Sequence, residues 1–339
     1  MMKRWLKLSL VILLLALQGL SYAEDERQPL PHIVSGLDWS SDGTTVAVGY
    51  SSDVKQPCQN SSIDLLNVTG ITPVISAQFP ESCGINSLDL GETPQGWMLL
   101  AARNSALLAW DISTGNLLFN RLAFTFIEDV SWDHNASRFL AIDYTRTAIR
   151  DVQGSITTEL SKLDLNTSAS FTSGDWSPDS TRIVNGFSDH TLRIWDVADL
   201  TVQVTFSQHE APVTTVDWNP TSDLIASADG SGIIMIWDGL TGEVVTSIAG
   251  HVGAVNDLVW SSDGRMLASA GDDGYVYIWR VQKSFFYPQS VLRQLTSFEY
   301  QAAVYAAAWS PDGTQIAYGG QGTEGHDGQV EISPVAVGV

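Results

Sequence analysis

The feature that most constrains this chain is a unit to which it returns seven times. "NDLVWSSDGRMLASAGDDGYVYIWR" (256–280) runs through an alternating stretch to a tryptophan, an Asp-Gly turn and a second apolar run. Another Asp-Gly turn and a third run ending in tryptophan complete it. Its opening recurs as "SGLDWSSDG" (35–43), "EDVSWDHNAS" (128–137), "SGDWSPDS" (173–180), "TTVDWNPTS" (214–222) and "YAAAWSPDG" (305–313). A weaker copy, "INSLDLGETPQG" (85–96), puts Asp89 where the others have tryptophan. The anchors are then residues 39, 89, 132, 176, 218, 260 and 309, spaced 42 to 50 residues apart.

Each unit reads as four strands. "VTTVDW" alternates and ends in an SPDG-like turn, whose Pro and Asp suit a type I turn. "LIASA" or "MLASA" supplies a second strand, and "IIMIWD", "YVYIWR" or "TLRIWD" a third. "TGEVVTSIAG" gives a fourth after a Thr-Gly turn. Four short strands per unit, with no helical period, describe a propeller blade. The expected fold is all-β, a seven-bladed β-propeller of four-stranded antiparallel blades.

The units resemble WD repeats, on "TLRIWDVADL" (191–200), "IIMIWDGLTG" (233–242), "LLAWDISTG" (107–115) and the Gly250-His251 pair. The resemblance spans about residues 32–333. It speaks strongly for fold and says little about function. What it implies for function is a non-catalytic scaffold that binds a protein or peptide. It also implies a structural hydrogen-bonded set within a blade, complete in the sixth as His251, Ser269, Asp273 and Trp279. The fifth blade keeps His209, Ser227 and Trp237 but has Ser231 at the Asp position; the fourth has Asp189 and Trp195 without the histidine. A His–Ser–Asp grouping invites comparison with a hydrolase triad, but the uneven retention fits struts that satisfy buried polar groups. Drift is expected in blade two, which loses its anchor, and in blade three, where "AIRDV" places Arg150 at the tryptophan position.

The chain starts with Lys3, Arg4 and Lys7, an apolar stretch from Leu8 to Leu17, and Ser21-Tyr22-Ala23 before "EDER". This is the pattern of a secretory signal peptide, residues 1–23, cleaved after Ala23. Its apolar run is shorter than a membrane-spanning helix requires. Export and a secreted protein, extracellular or periplasmic, are expected, with residues 24–339 forming one propeller domain and no membrane insertion after cleavage. The mature chain would carry 14 basic against 38 acidic residues. Such a surface repels nucleic acid and anionic lipid, and it fits either solubility or a cationic partner.

Cys58 and Cys83 are the only cysteines. Cys58 precedes the third strand of blade one and Cys83 follows its fourth. Antiparallel neighbours bring those ends together, so a disulfide is expected. It would contribute roughly 3 kcal/mol. No Cys/His spacing suits zinc, and "GDDG" (271–274) lacks the ligand series of a calcium loop. Neither metal nor cofactor is expected.

The alternative to a scaffold is a small-ligand or enzymatic site over the central channel, which needs titratable side chains converging from several blades. Arg103, Tyr144 and Arg146 stand in suitable loops but form no recognisable constellation. The binding candidates lie instead at the seam. The last blade's third strand falls near 329–333, and the segment left to complete it is "EDERQPL" (24–30), a poor strand former. Closure at blade seven is therefore expected to be weak. The long turns at 50–62 and 319–328 flank that seam. They bring Tyr50, Asp53, Lys55, Gln56, Gln321, Glu324, His326 and Asp327 to one candidate partner-binding surface. A second candidate is the aromatic trio Phe285, Phe286 and Tyr287, either packed beneath blade six or exposed.

Overall fold

The structure, a computed structural model, describes residues 33–51, 61–69, 74–81, 84–103, 106–122, 126–161, 167–283, 290–322 and 328–335. The leader, residues 24–30, both cysteines and Phe285, Phe286 and Tyr287 lie outside the described residues.

The described chain is a seven-bladed propeller. Six antiparallel sheets have four strands each in chain order, and the seventh has three among the described residues. The inner strands are Ile33–Trp39, Ile85–Thr93, Ile127–Trp132, Phe171–Trp176, Val213–Trp218, Val255–Trp260 and Val304–Trp309. Blades two and three each keep four strands.

The turn after each inner strand shows why its sequence recurs. Ser40, Ser177, Ser261 and Ser310 each donate a hydroxyl proton to the Asp two residues later, at 2.6–2.7 Å. Gly43, Gly264 and Gly313 then take φ near +70°, a conformation that costs glycine little. Ser180 occupies the same place with φ 56° and bears the steric cost of a side chain there.

Alternation along each strand gives a blade two apolar faces, and the core forms between blades. Val184, Ile194 and Phe206 of blade four pack with Val216, Trp218 and Trp237 of blade five, for example. A cluster of this kind fills each of the seven boundaries. The seam between blades seven and one has its own: Val34, Leu37, Trp39, Val46, Val48 and Tyr50 against Ala306, Ala308 and Ala317. Among the described residues no hydrogen-bonded strand closes the ring there, and one antiparallel bridge joins Ile33 to Gln321.

Candidate functional site

Every inner strand carries a one-residue irregularity four positions before its anchor. Ser35, Asn86, Glu128, Thr172, Thr214, Asn256 and Tyr305 are passed over in the pairing with the second strand. A bulge takes one residue out of the ladder and re-aims its side chain. All seven bulge residues line a central cavity of about 360 Å³. Four of them reach the next blade's inner strand. Asn86 Nδ2 donates to Ile127 O at 2.7 Å, Thr214 Oγ1 to Val255 O at 2.6 Å and Asn256 Nδ2 to Val304 O at 2.9 Å. Ser35 Oγ donates likewise to Ile85 O.

A second tier along the cavity is acidic. Asp38 accepts the main-chain N–H of Leu90 at 2.7 Å, Asp89 that of Trp132 at 2.6 Å, and Asp175 that of Trp218 at 2.9 Å. Asp217 accepts from Trp260 at 2.5 Å and Asp257 from Ala307 at 2.8 Å. Asp129 takes the Ser173 hydroxyl at 3.1 Å and the Gly174 N–H at 3.3 Å. Six of the seven boundaries are thus clasped by a carboxyl, one from each blade except the seventh, which has Ala306 and Ala308 instead.

Enclosure disfavours the charged form of these groups. Burial pushes Asp38 and Asp129 up to about 6 and Asp257 to about 7. It also raises Asp89 and Asp217 well above the usual carboxylate range, helped by the neighbouring carboxyls of Asp38 and Asp175 respectively. No Lys, Arg or His lines the cavity among the described residues.

Two sequence readings are corrected here. Asp89 does not stand at the tryptophan position: its bond to Trp132 matches those of Asp175 and Asp217 to the next anchor, so Leu90 takes the tryptophan's place. A convergent titratable set also exists over the channel where none was expected. Its signal was the Asp preceding tryptophan in "LDW", "GDW" and "VDW". The set comprises acids, and each of its six aspartates spends an oxygen on holding the next blade.

The histidine sets lie away from the channel. His251 Nε2 is 2.7 Å from Ser269 Oγ, which also accepts Trp279 Nε1–H at 2.8 Å; His251 Nδ1 is 2.9 Å from Asp273 Oδ1. Blade five makes the same relay with His209, Ser227 and Trp237, each step at 2.7 Å. Its acid is Asp229, 2.8 Å from His209 Nδ1, and Ser231 instead binds Asp229. The expected vacancy at the Asp position is therefore filled from two residues earlier. Blade six has Gly271 at that earlier position, where a Cβ would stand 2.3 Å from His251 Nδ1. Burial lowers both histidines against the pull of their aspartates, so the rings are neutral at pH 7. Ser227 and Ser269 are fully enclosed.

The seam candidates separate. Tyr50 is not a loop residue: it ends inside the strand Thr45–Ser51 and is buried in the seam cluster, which raises its hydroxyl. Gln321 is exposed and holds the bridge to Ile33. Asp53, Lys55, Gln56, Glu324, His326 and Asp327 lie outside the described residues. Arg146 pairs with Asp143 at 3.2 Å and with Glu159 at 2.9 Å. Arg103 ends the second strand of blade two, and Tyr144 reaches Glu128.

The family described as WD domain, G-beta repeat matches residues 158–196, 200–238 and 242–280. Three WD40 repeats are matched over those residues. The second and third matched WD40 repeats are those holding the complete His–Ser–Asp–Trp relays. Outside them the pattern drifts, most visibly at Leu90 and Arg150. A chain in the solved structure titled "Crystal Structure of Mitotic Checkpoint Complex" shares the fold with a TM-score of 0.72 at 20% identity, over 91% of this chain and 94% of that one. No curated protein matches.

Proposed function

We propose that this protein is an exported, non-catalytic scaffold that binds a protein or peptide partner through loops of its propeller faces. WD40 propellers typically mediate protein interactions. One observation carries the reading: the groups that look chemical are committed to holding strands. Both relay serines sit between an imidazole and an indole, and the channel aspartates clasp neighbouring blades. Export rests on the leader pattern at residues 1–23, and the candidate contact segments are the connections from Ser51 to Ser61 and from Gly320 to Val330. Shortening both connections to four residues, in a protein that melts as the parent does, should abolish partner capture from the exported fraction. Capture at parental levels would remove the seam from the reading.

A small-ligand or catalytic site over the channel is the second reading, favoured by the carboxyls that line it with raised proton affinity. Asn at Asp257 and Asp129 together would abolish binding or turnover on that reading and leave partner capture intact on the first.

A further inference from the structure

Resting on the scaffold reading, the structure assigns a subsite to the channel mouth at blade three: one lysine or arginine side chain of a basic peptide is held there by Glu128, Phe126 and Tyr144. Glu128 occupies a bulge position from which four other blades donate a proton to the next inner strand. A carboxylate has no proton to give. Its Oε1 is enclosed and finds no hydrogen-bond partner among the described residues.

Glu128 is not needed as a strut. The boundary to blade four is already held by Asp129 on Ser173 and Gly174, by Ser131 Oγ on Asp175 at 2.9 Å, and by Trp176 Nε1 on Ser131 O at 3.1 Å. Asn185 Nδ2 on Thr147 Oγ1 at 2.9 Å adds a further tie.

The surroundings of Glu128 suit a cation. The side chain lines the cavity and is partly exposed; burial raises its carboxyl, and the neighbouring Tyr144 hydroxyl works against that rise. Phe126 and Tyr144 are each 44% exposed, with ring centroids 6.3 Å apart and planes tilted by 33°. A cation resting on those faces and against the carboxylate gains both cation–π attraction and a charged hydrogen bond. Nothing beneath opposes a cation: no Lys, Arg or His lines the cavity among the described residues. Lysine or arginine carries a matching charge on a stem long enough to cross the rings.

The test is an array of dodecapeptides with random flanks and a central Arg, Lys, Gln or Glu, probed with the labelled mature protein at low salt. The parent should retain Arg and Lys centres at least about tenfold over Gln. Glu128→Gln, which removes charge and can make the missing clasp, should erase that preference, and so should Phe126→Ala with Tyr144→Ala. Thermal melting near the parent's confirms that each variant is folded. A basic preference unchanged in Glu128→Gln overturns the subsite. Retention of other peptides without a basic preference overturns it and leaves the scaffold reading standing. An array that retains nothing counts against both.

Discussion

The indole Nε1 of Trp39 donates to the carbonyl of Ala308 at 3.1 Å, tying the first inner strand to the last. Trp176 and Trp309 make the same bond to Ser131 and Val259 of the preceding blade. Those two boundaries also have a carboxyl clasp, from Asp129 and Asp257. Among the described residues the seam has none, because blade seven offers Ala306 and Ala308 at those positions.

Trp39→Phe should therefore cost more than Trp309→Phe. Each loses one buried hydrogen bond, worth about 1 kcal/mol, and some packing. Only at the seam is there no second clasp to keep the inner strands together. The urea midpoint should fall further for Trp39→Phe, by the equivalent of about 2 kcal/mol. Equal midpoints would show that the core cluster alone carries the seam.

The channel predicts a pH dependence whose sign is unusual for carboxyls. Asp38 and Asp129 sit at about 6 and Asp257 at about 7, with Asp89 and Asp217 raised well above the usual range, all chiefly by burial. The unfolded chain releases these protons near pH 4. Between about 4 and 7 the folded state binds more protons, so their contribution is full below 4 and is lost as pH rises through 7. His209 and His251, lowered by burial, act oppositely and destabilise as pH falls below about 6.5. Five carboxyls outweigh two imidazoles. The urea midpoint should be higher at pH 5 than at pH 8, and Asp257→Asn should shrink the difference. A higher midpoint at pH 8 would refute the raised values.

Below pH 4 the turns take over. Asp42 is lowered by the Ser40 hydroxyl and the Thr44 donors, and Asp179 lies at about 2, where the Ser177 and Thr181 donors overcome burial. Stability from such groups is present above about 4 and disappears as pH falls through their folded values.

Much of the fold was legible because the tryptophans mark it twice per blade. Trp176, Trp195, Trp218 and Trp237 are nearly fully enclosed where the pattern places them. The channel was not legible, for a physical reason. A bulge moves Glu128 or Asn256 off the strand's period-two alternation, so no alternating pattern shows which residues converge. Asp89 was misaligned by one residue because Leu90 replaces the anchor that fixes the count elsewhere. In blade five, reading Ser231 as the lost acid ignored that Asp229 can reach His209 from the strand end.

Arg150 gives a stabilising variant. It is 9% exposed and donates Nη1–H to Gly154 O at 2.7 Å, while its Nε finds no partner among the described residues. Burial lowers its proton affinity, and Arg146 and Arg121 add repulsion. A long apolar chain avoids that desolvation cost. Arg150→Met should raise the urea midpoint by the equivalent of about 1 kcal/mol. Tryptophan is the poorer choice, since Ala141 stands where Ser227 would receive the indole N–H. A lowered midpoint would show that the Gly154 bond outweighs the burial of charge.

The two histidine relays differ in how far water reaches their acids, and their variants should separate accordingly. The Asp229 side chain is fully enclosed with that of His209, whereas Asp273 remains 11% exposed. Asp229 accepts from His209, from the Ser231 hydroxyl at 2.6 Å and from the main-chain N–H groups of Ser231 and Ile233. Burial would raise this carboxyl, but those donors prevail and lower it. Asp229→Ala strands several buried donors and should cost about 3 kcal/mol. Asp273→Ala, where water can solvate the freed imidazole N–H, should cost about 1–2 kcal/mol. The Asp229 variant should also lose part of the acid limb below pH 4, since a lowered carboxyl stabilises only above that range. Urea midpoints at pH 3 and 6 for both variants distinguish the two sites. Equal losses at pH 6 would mean that the His209 relay is no more enclosed than the His251 one.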